Sequence, residues 1–152
     1  MPVIRPATPG GNVIFCDDIR FEANGKTIFI GVYTGEIIIL GSAPATLPSF
    51  AVMINYLERP GDLDGPVLAK LLGPGDEELA CLSIPVDQAR LNFNPEFKEE
   101  DNLILLQMNV TLHNVLIKQE GFIRLRIFCG DTEIRMGSLR VRFQGSEGVV
   151  AI

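Results

Sequence analysis

Gly121-Phe122-Ile123-Arg124-Leu125-Arg126-Ile127-Phe128-Cys129, then Gly130-Asp131, then Thr132 to Phe143, is the stretch whose reading decides the fold. Ile123, Leu125 and Ile127 alternate with Arg124 and Arg126, the period of two that gives a strand one oily and one wet side. A hairpin turning at Gly130-Asp131 sets Ile127 opposite Ile134 and Leu125 opposite Met136. Leu139, Val141 and Phe143 then fall on the wrong parity, and a β-bulge near Gly137 reconciles the two halves. With that bulge Arg135 lies across from Arg126, and Arg140 and Arg142 rejoin the polar face of Arg124 and Arg126. Five of the thirteen basic residues therefore share one side of one hairpin.

The rest of the chain repeats the pattern of short strands and turns. Ala23-Asn24-Gly25-Lys26 carries the Asn-Gly pair that accepts the positive φ angles of a two-residue hairpin loop. Such a loop pairs Phe21 with Ile28, Ile19 with Ile30 and Asp17 with Val32, placing five apolar residues on one face and Arg20, Glu22 and Thr27 on the other. Glu36 to Leu40 reads as a central strand, Gly41 to Pro48 as a loop, and Ser49 to Glu58 as a strand with Phe50, Val52, Ile54 and Tyr56 alternating. Val67 to Leu72 and Leu79 to Ile84 flank Pro74-Gly75-Asp76 as a further hairpin. Leu103 to His113 alternates again, with Ile104, Leu106, Met108, Val110 and Leu112 on its apolar side. Asn94 before Pro95 caps at most one short helical turn through Glu99, within a long connection over 85–102.

Eight or nine short strands with almost no helical periodicity predict an all-β fold, an antiparallel two-sheet sandwich of immunoglobulin-like type. At 152 residues the chain suits one domain, read as residues 12–152 behind a flexible leader, 1–11, whose prolines and glycines do not make a secretory signal. Apolar residues form 47% of the composition, enough for a core, yet no run approaches the roughly 20 residues of a membrane helix. A net charge of −6 argues against nucleic acid or an anionic membrane as partner. Cys16, Cys81 and Cys129 are odd in number and far apart, so we expect three reduced, largely buried thiols and a cytoplasmic address.

Candidate chemistry is sparse. His113 falls on the polar side of its strand, without Cys or Asp at ligand spacing, so no metal site, catalytic triad or cofactor motif is expected and the chain does not read as an enzyme. Asp62-Leu63-Asp64-Gly65 with Asp76, Glu77 and Glu78 offers hard oxygen ligands of the kind calcium takes, although acidic turns are usually just solvated. Glu99, Glu100 and Asp101 form a similar loop run. Asp17 lands on the apolar side of its hairpin, next to Asp18; a buried carboxylate there serves either as a ligand or base, or as a tie for a loop. Arg124, Arg126, Arg135, Arg140 and Arg142 either grip carboxylates or phosphates, or form an exposed ladder neutralised by neighbouring acids such as Glu120 and Glu133.

Cys16-Asp17-Asp18-Ile19-Arg20, Asn24-Gly25-Lys26 and Ile30-Gly31-Val32-Tyr33 resemble the opening of a family of small bacterial proteins of unknown function. Gly121 to Arg126 followed by Gly130-Asp131 resembles the final hairpin of many immunoglobulin-like sandwiches. These resemblances imply a β fold and a bacterial origin, and bring no catalytic residue with them. The function expected is a non-enzymatic module that binds a protein partner or assembles with itself. The alternative is a small-molecule or calcium module built on the Asp-rich loops, with an enzyme third. The apolar stretch Val149-Val150-Ala151-Ile152 suits pairing along a sheet edge or covering a neighbouring subunit.

Overall fold

The computed structural model describes residues 10–59, 65–84 and 104–145. In chain order these form β1 (Gly10–Cys16), β2 (Asp18–Phe21), β3 (Thr27–Ile30), β4 (Glu36–Leu40), β5 (Ala45–Glu58), β6 (Val67–Leu72), β7 (Glu78–Ile84), β8 (Ile104–Ile117), β9 (Gly121–Cys129) and β10 (Thr132–Gln144). The fold is all-β, with no helix among the described residues. The helical turn expected at 94–99, the acids at 62, 64 and 99–101, and the apolar end at 149–152 lie outside the described residues. Gly10 and Gly11, read as leader, already belong to β1.

Three sheets replace the two that the sequence suggests. A three-stranded sheet in the order β1-β5-β8 shares its core with a curled five-stranded sheet in the order β4-β10-β9-β6-β7, and β2-β3 form a small sheet of their own. The five-stranded sheet is mixed, because β4 runs parallel to β10 while the other pairs are antiparallel. A regular antiparallel immunoglobulin-like sandwich is therefore not what forms. The long route from β4 through five intervening strands to β10 allows the parallel pairing that a hairpin cannot make.

β5 is the spine of the molecule. Phe50, Val52, Ile54 and Tyr56 point into the main core with Phe15, Leu106, Met108, Ile123, Leu125 and Ile127. Its opposite face is also covered, because Ala51 and Met53 meet Cys16 and Ile19 under the β2-β3 hairpin. Both parities of this strand are thus apolar, as burial on two sides demands. The strand also begins earlier than expected: Ala45 to Leu47 already pair with Ile117 to Val115, so Pro48 lies inside it. Pairing lapses between Leu47 and Ser49, opposite Asn114, whose φ of 56 bends β8 without shifting register. Beyond that bend Val115 and Ile117, of odd parity, turn into the core in succession to Leu106 and Met108.

The first hairpin keeps its place but slips by one residue. Phe21 pairs with Thr27, Arg20 with Ile28 and Ile19 with Phe29. A two-residue type I′ loop needs positive φ at both central residues, and here Gly25 (φ 86) has it while Asn24 does not. Gly25 N–H instead donates to Glu22 O at 2.9 Å and Glu22 N–H to Lys26 O at 2.8 Å, closing a three-residue loop over residues 23–25. One step of register exchanges which β3 side chains share a side with Ile19. Ile19 and Phe29 therefore pack inward, and Ile28 and Ile30 are left exposed beside Arg20.

The last hairpin has its bulge where the sequence places it. Ile134 pairs with Ile127 and Arg135 with Arg126, then the register jumps so that Gly137 pairs with Leu125 and Leu139 with Ile123. Of the three free thiols, Cys16 and Cys129 are buried, but Cys81 is exposed, because it takes the outward parity of edge strand β7.

Both tyrosines carry their hydroxyls to carboxylates: Tyr33 to Asp17, and Tyr56 to Glu58 Oε2 at 2.6 Å. Burial first, and then the carboxylate acceptor, push each phenol well above its ordinary 10.0. The fold thus favours the protonated phenol, and this stabilisation is complete below pH 10.0 and lost as pH rises above it, where unfolded tyrosines ionise first. We expect tyrosinate absorbance to appear together with loss of β-sheet circular dichroism. Free titration of either tyrosine near 10.0 in the folded protein would contradict these contacts.

Candidate functional site

The outer face of the five-stranded sheet carries the chemistry. Along β9 the odd residues Ile123, Leu125 and Ile127 are buried, so Phe122, Arg124, Arg126 and Phe128 face outward. On β10 the bulge restores this parity: Leu139 and Val141 are buried, and Arg135, Arg140 and Arg142 are exposed on the outer side. The five arginines singled out in the sequence are thereby brought onto one surface. Pairing with β6 adds a cation that the sequence alone could not place, since Lys70 lies opposite Arg126. Cys81, Lys70, Arg126 and Arg135 form a row across β7, β6, β9 and β10.

Adjacent strands lie about 4.8 Å apart, so these cations repel unless acids intervene. Acids intervene in part. Lys70 Nζ is 3.6 Å from Glu78 and 5.6 Å from the centre of the Phe128 ring, Arg126 Nε is 3.7 Å from Glu133, and Arg142 Nη1 is 3.4 Å from Glu36. Arg124 pairs with Asp76, held in the left-handed conformation (φ 66) at the β6-β7 turn. Arg124 Nε is nevertheless buried without an acceptor. Arg135 and Arg140 make no ion pair among the described residues. Glu120, the other acid expected to neutralise the ladder, accepts a hydrogen bond from Phe143 N–H at 2.9 Å instead.

Arg126 bears the strain of this arrangement. Only 12% of its side chain is exposed, and its pKa is lowered by burial first and then by Arg135 and Arg124, with Glu133 acting in the opposite direction. A guanidinium does not shed its proton at any ordinary pH, so Arg126 stays charged beside Arg135 and Arg124, and its Nη1 donates to Leu125 O at 3.1 Å. Among the described residues four of the six cations on this surface pair with a carboxylate, in a chain whose net charge is −6. An added anion over this row would be attracted by the surplus and would relieve Arg126.

The other candidates serve the fold. Asp17 is exposed and links β1 to β2, so the apolar-face position expected for it does not arise. The chain breaks there, and β1 leaves to pair with β5 rather than continuing alongside β3. Asp17 N–H donates to Ile30 O at 2.9 Å, its carbonyl accepts from Ser49 Oγ at 2.7 Å, and its carboxylate accepts the Tyr33 hydroxyl. Asp18 accepts from its neighbour Ile19 N–H at 2.9 Å and from Arg20 Nε at 3.0 Å, and the Arg20 bond leads in holding its carboxyl below the usual range. These are loop ties.

In the second acidic loop each carboxylate has a different partner: Asp76 takes Arg124, Glu77 takes Gly75 N–H at 2.7 Å, and Glu78 takes Lys70. Among the described residues no three His, Cys, Asp or Glu side chains converge on a metal position. His113 is exposed on the rim of an open cleft of about 320 Å³, between Glu77, Glu78 and Lys118. One feature had no sequence signal: Glu58, 3% exposed at the end of β5, accepts Tyr56 Oη and Arg59 N–H.

The model of a family of unknown function, DUF6941, matches residues 12–142. The chain belongs to this family. The match runs from β1 into β10 and so takes in every strand of the face described above. No curated protein matches the chain.

If Arg126 is retained for binding rather than for the fold, an apolar residue of similar length should be better tolerated by the folded state. We expect Arg126→Met to leave thermal stability unchanged or to raise it by about 1 kcal/mol. A loss of more than about 1 kcal/mol on denaturant titration would make Arg126 a structural residue.

Proposed function

We propose that this chain is a non-enzymatic binding module, and that the outer face of its five-stranded sheet takes an acidic segment of a partner protein. The observation that carries this reading is the row of Lys70, Arg126 and Arg135 on neighbouring strands, with Arg126 nearly buried among like charges. A partly buried cation crowded by like charges, even one that pairs with Glu133 and donates to Leu125 O, is a position where the anion of a ligand adds favourable contact. Guanidinium groups also suit this role geometrically, since their planar forks accept carboxylates two bonds at a time. The chain's own excess of acid disfavours nucleic acid as the occupant, because the surrounding field repels a polyanion while a short acidic segment can seat locally. Two buried thiols and one exposed one suit a reducing, cytoplasmic setting.

Arg135 and Arg140 are the residues to change, because both are exposed and neither makes an ion pair among the described residues. Isothermal titration with a capped acidic peptide should show binding that weakens as salt is raised. The Arg135→Glu, Arg140→Glu double variant should bind at least about tenfold more weakly, with stability within about 0.5 kcal/mol of the parent. Unchanged affinity in that variant would remove the arginine face as the binding surface.

A further inference from the structure

The face has two unlike ends. At one end lie the cations Lys70, Arg126 and Arg135. Toward the other, Phe122 stands opposite Arg140, and Ile38 and Leu40 of edge strand β4 lie opposite Arg142 and Gln144. Phe122 is 50% exposed, Ile38 47% and Leu40 66%. These apolar groups sit on the same outward parity as the arginines, so cations and oily side chains form one continuous surface.

We infer that the occupant is an extended segment of another protein, acidic at one end and apolar at the other, lying along β9 and β10. This inference rests on the acidic-partner reading above and gives that partner a pattern. Phe122 is four residues along β9 from Arg126, or about 13 Å at strand rise, and Ile38 lies about two residues further, near 20 Å. An extended peptide has the same rise, and its alternate side chains share a side. A carboxylate over the Lys70, Arg126 and Arg135 row, with a second at the next alternate position over Arg124, therefore places the following two alternate side chains at the levels of Phe122 and Ile38. Charge complementarity fixes the acidic end, since a basic segment there would meet Lys70, Arg126 and Arg135 side by side.

The pattern can be broken by a single residue. Inserting one residue between the acidic and apolar halves turns the apolar side chains away from the sheet while keeping composition and charge. The probe is a capped peptide of about ten residues, with Asp at two alternate positions and Leu at the next two. Its comparison is the same peptide with one extra Ser at the junction, titrated against the full chain by fluorescence anisotropy. We expect the insertion to weaken binding about tenfold, and Phe122→Ser to abolish the difference between the two peptides. Equal, salt-sensitive binding of both peptides would overturn the spacing while leaving the acidic-partner reading in place. Binding of neither, with no effect of Arg135→Glu and Arg140→Glu, would overturn both. Two further results would also overturn the inference: a DNA oligonucleotide that outcompetes the patterned peptide, or light scattering showing a dimer that Arg135→Glu dissociates, which would make a second copy the occupant.

Discussion

At Met136 the last strand carries one residue more than its partner, and that insertion decides which side of β10 meets water. Before it, Ile134 and Met136 turn toward the core; after it, Leu139 and Val141 do. Without the bulge the second half would present Leu139 and Val141 to solvent and drive Arg140 and Arg142 inward, at a desolvation cost no small domain sustains. Gly137 sits at the shift, facing Val13 and Phe15 of β1, so the irregularity lies where the two layers meet. The hydrophobic pattern thus enforces the bulge, and the bulge gathers the arginines.

Gathering them has an electrostatic consequence. Cross-strand pairing makes Lys70, Arg126 and Arg135 immediate neighbours, and among the described residues the acids paired with them, Glu78 and Glu133, serve two of the three. Two acids elsewhere hold the fold: Asp17 ties β1 to the hairpin and accepts Tyr33, and Glu58 is buried against Tyr56. Acidic overall yet locally short of acid, the molecule keeps its positive surplus on one sheet face, next to half-exposed Phe122, Ile38 and Leu40. A site of that kind is held by a rigid scaffold, since every arginine in it projects from a paired strand.

Much of this was legible in the chain. Alternation in 121–143 gave the strands, the bulge and the shared face of five arginines, because parity is a property of the sequence itself. Lys70 was invisible as a member, since its place beside Arg126 depends on β6 pairing with β9, a contact between distant segments. The Asn24-Gly25 turn was recognised, but its loop length was not. Two- and three-residue loops use the same residue types, and the shorter one would set Ile28 and Ile30, rather than Phe29, on the side of Ile19. Pro48 suggested a loop because proline cannot donate to a ladder, yet it occupies a position where pairing with β8 lapses opposite Asn114. The parallel partnership of β4 with β10 leaves no local trace, which is why a simple antiparallel sandwich looked sufficient.

Cross-strand nuclear Overhauser contacts between β9 and β10 test the register on which the arginine face depends. Backbone contacts linking Gly137 to Leu125 and Leu139 to Ile123 are expected, with Ile134 still opposite Ile127. Contacts of Met136 with Leu125 and Ser138 with Ile123 would mean an unbroken register, with Arg140 and Arg142 turned off the shared face and the five arginines no longer on one surface.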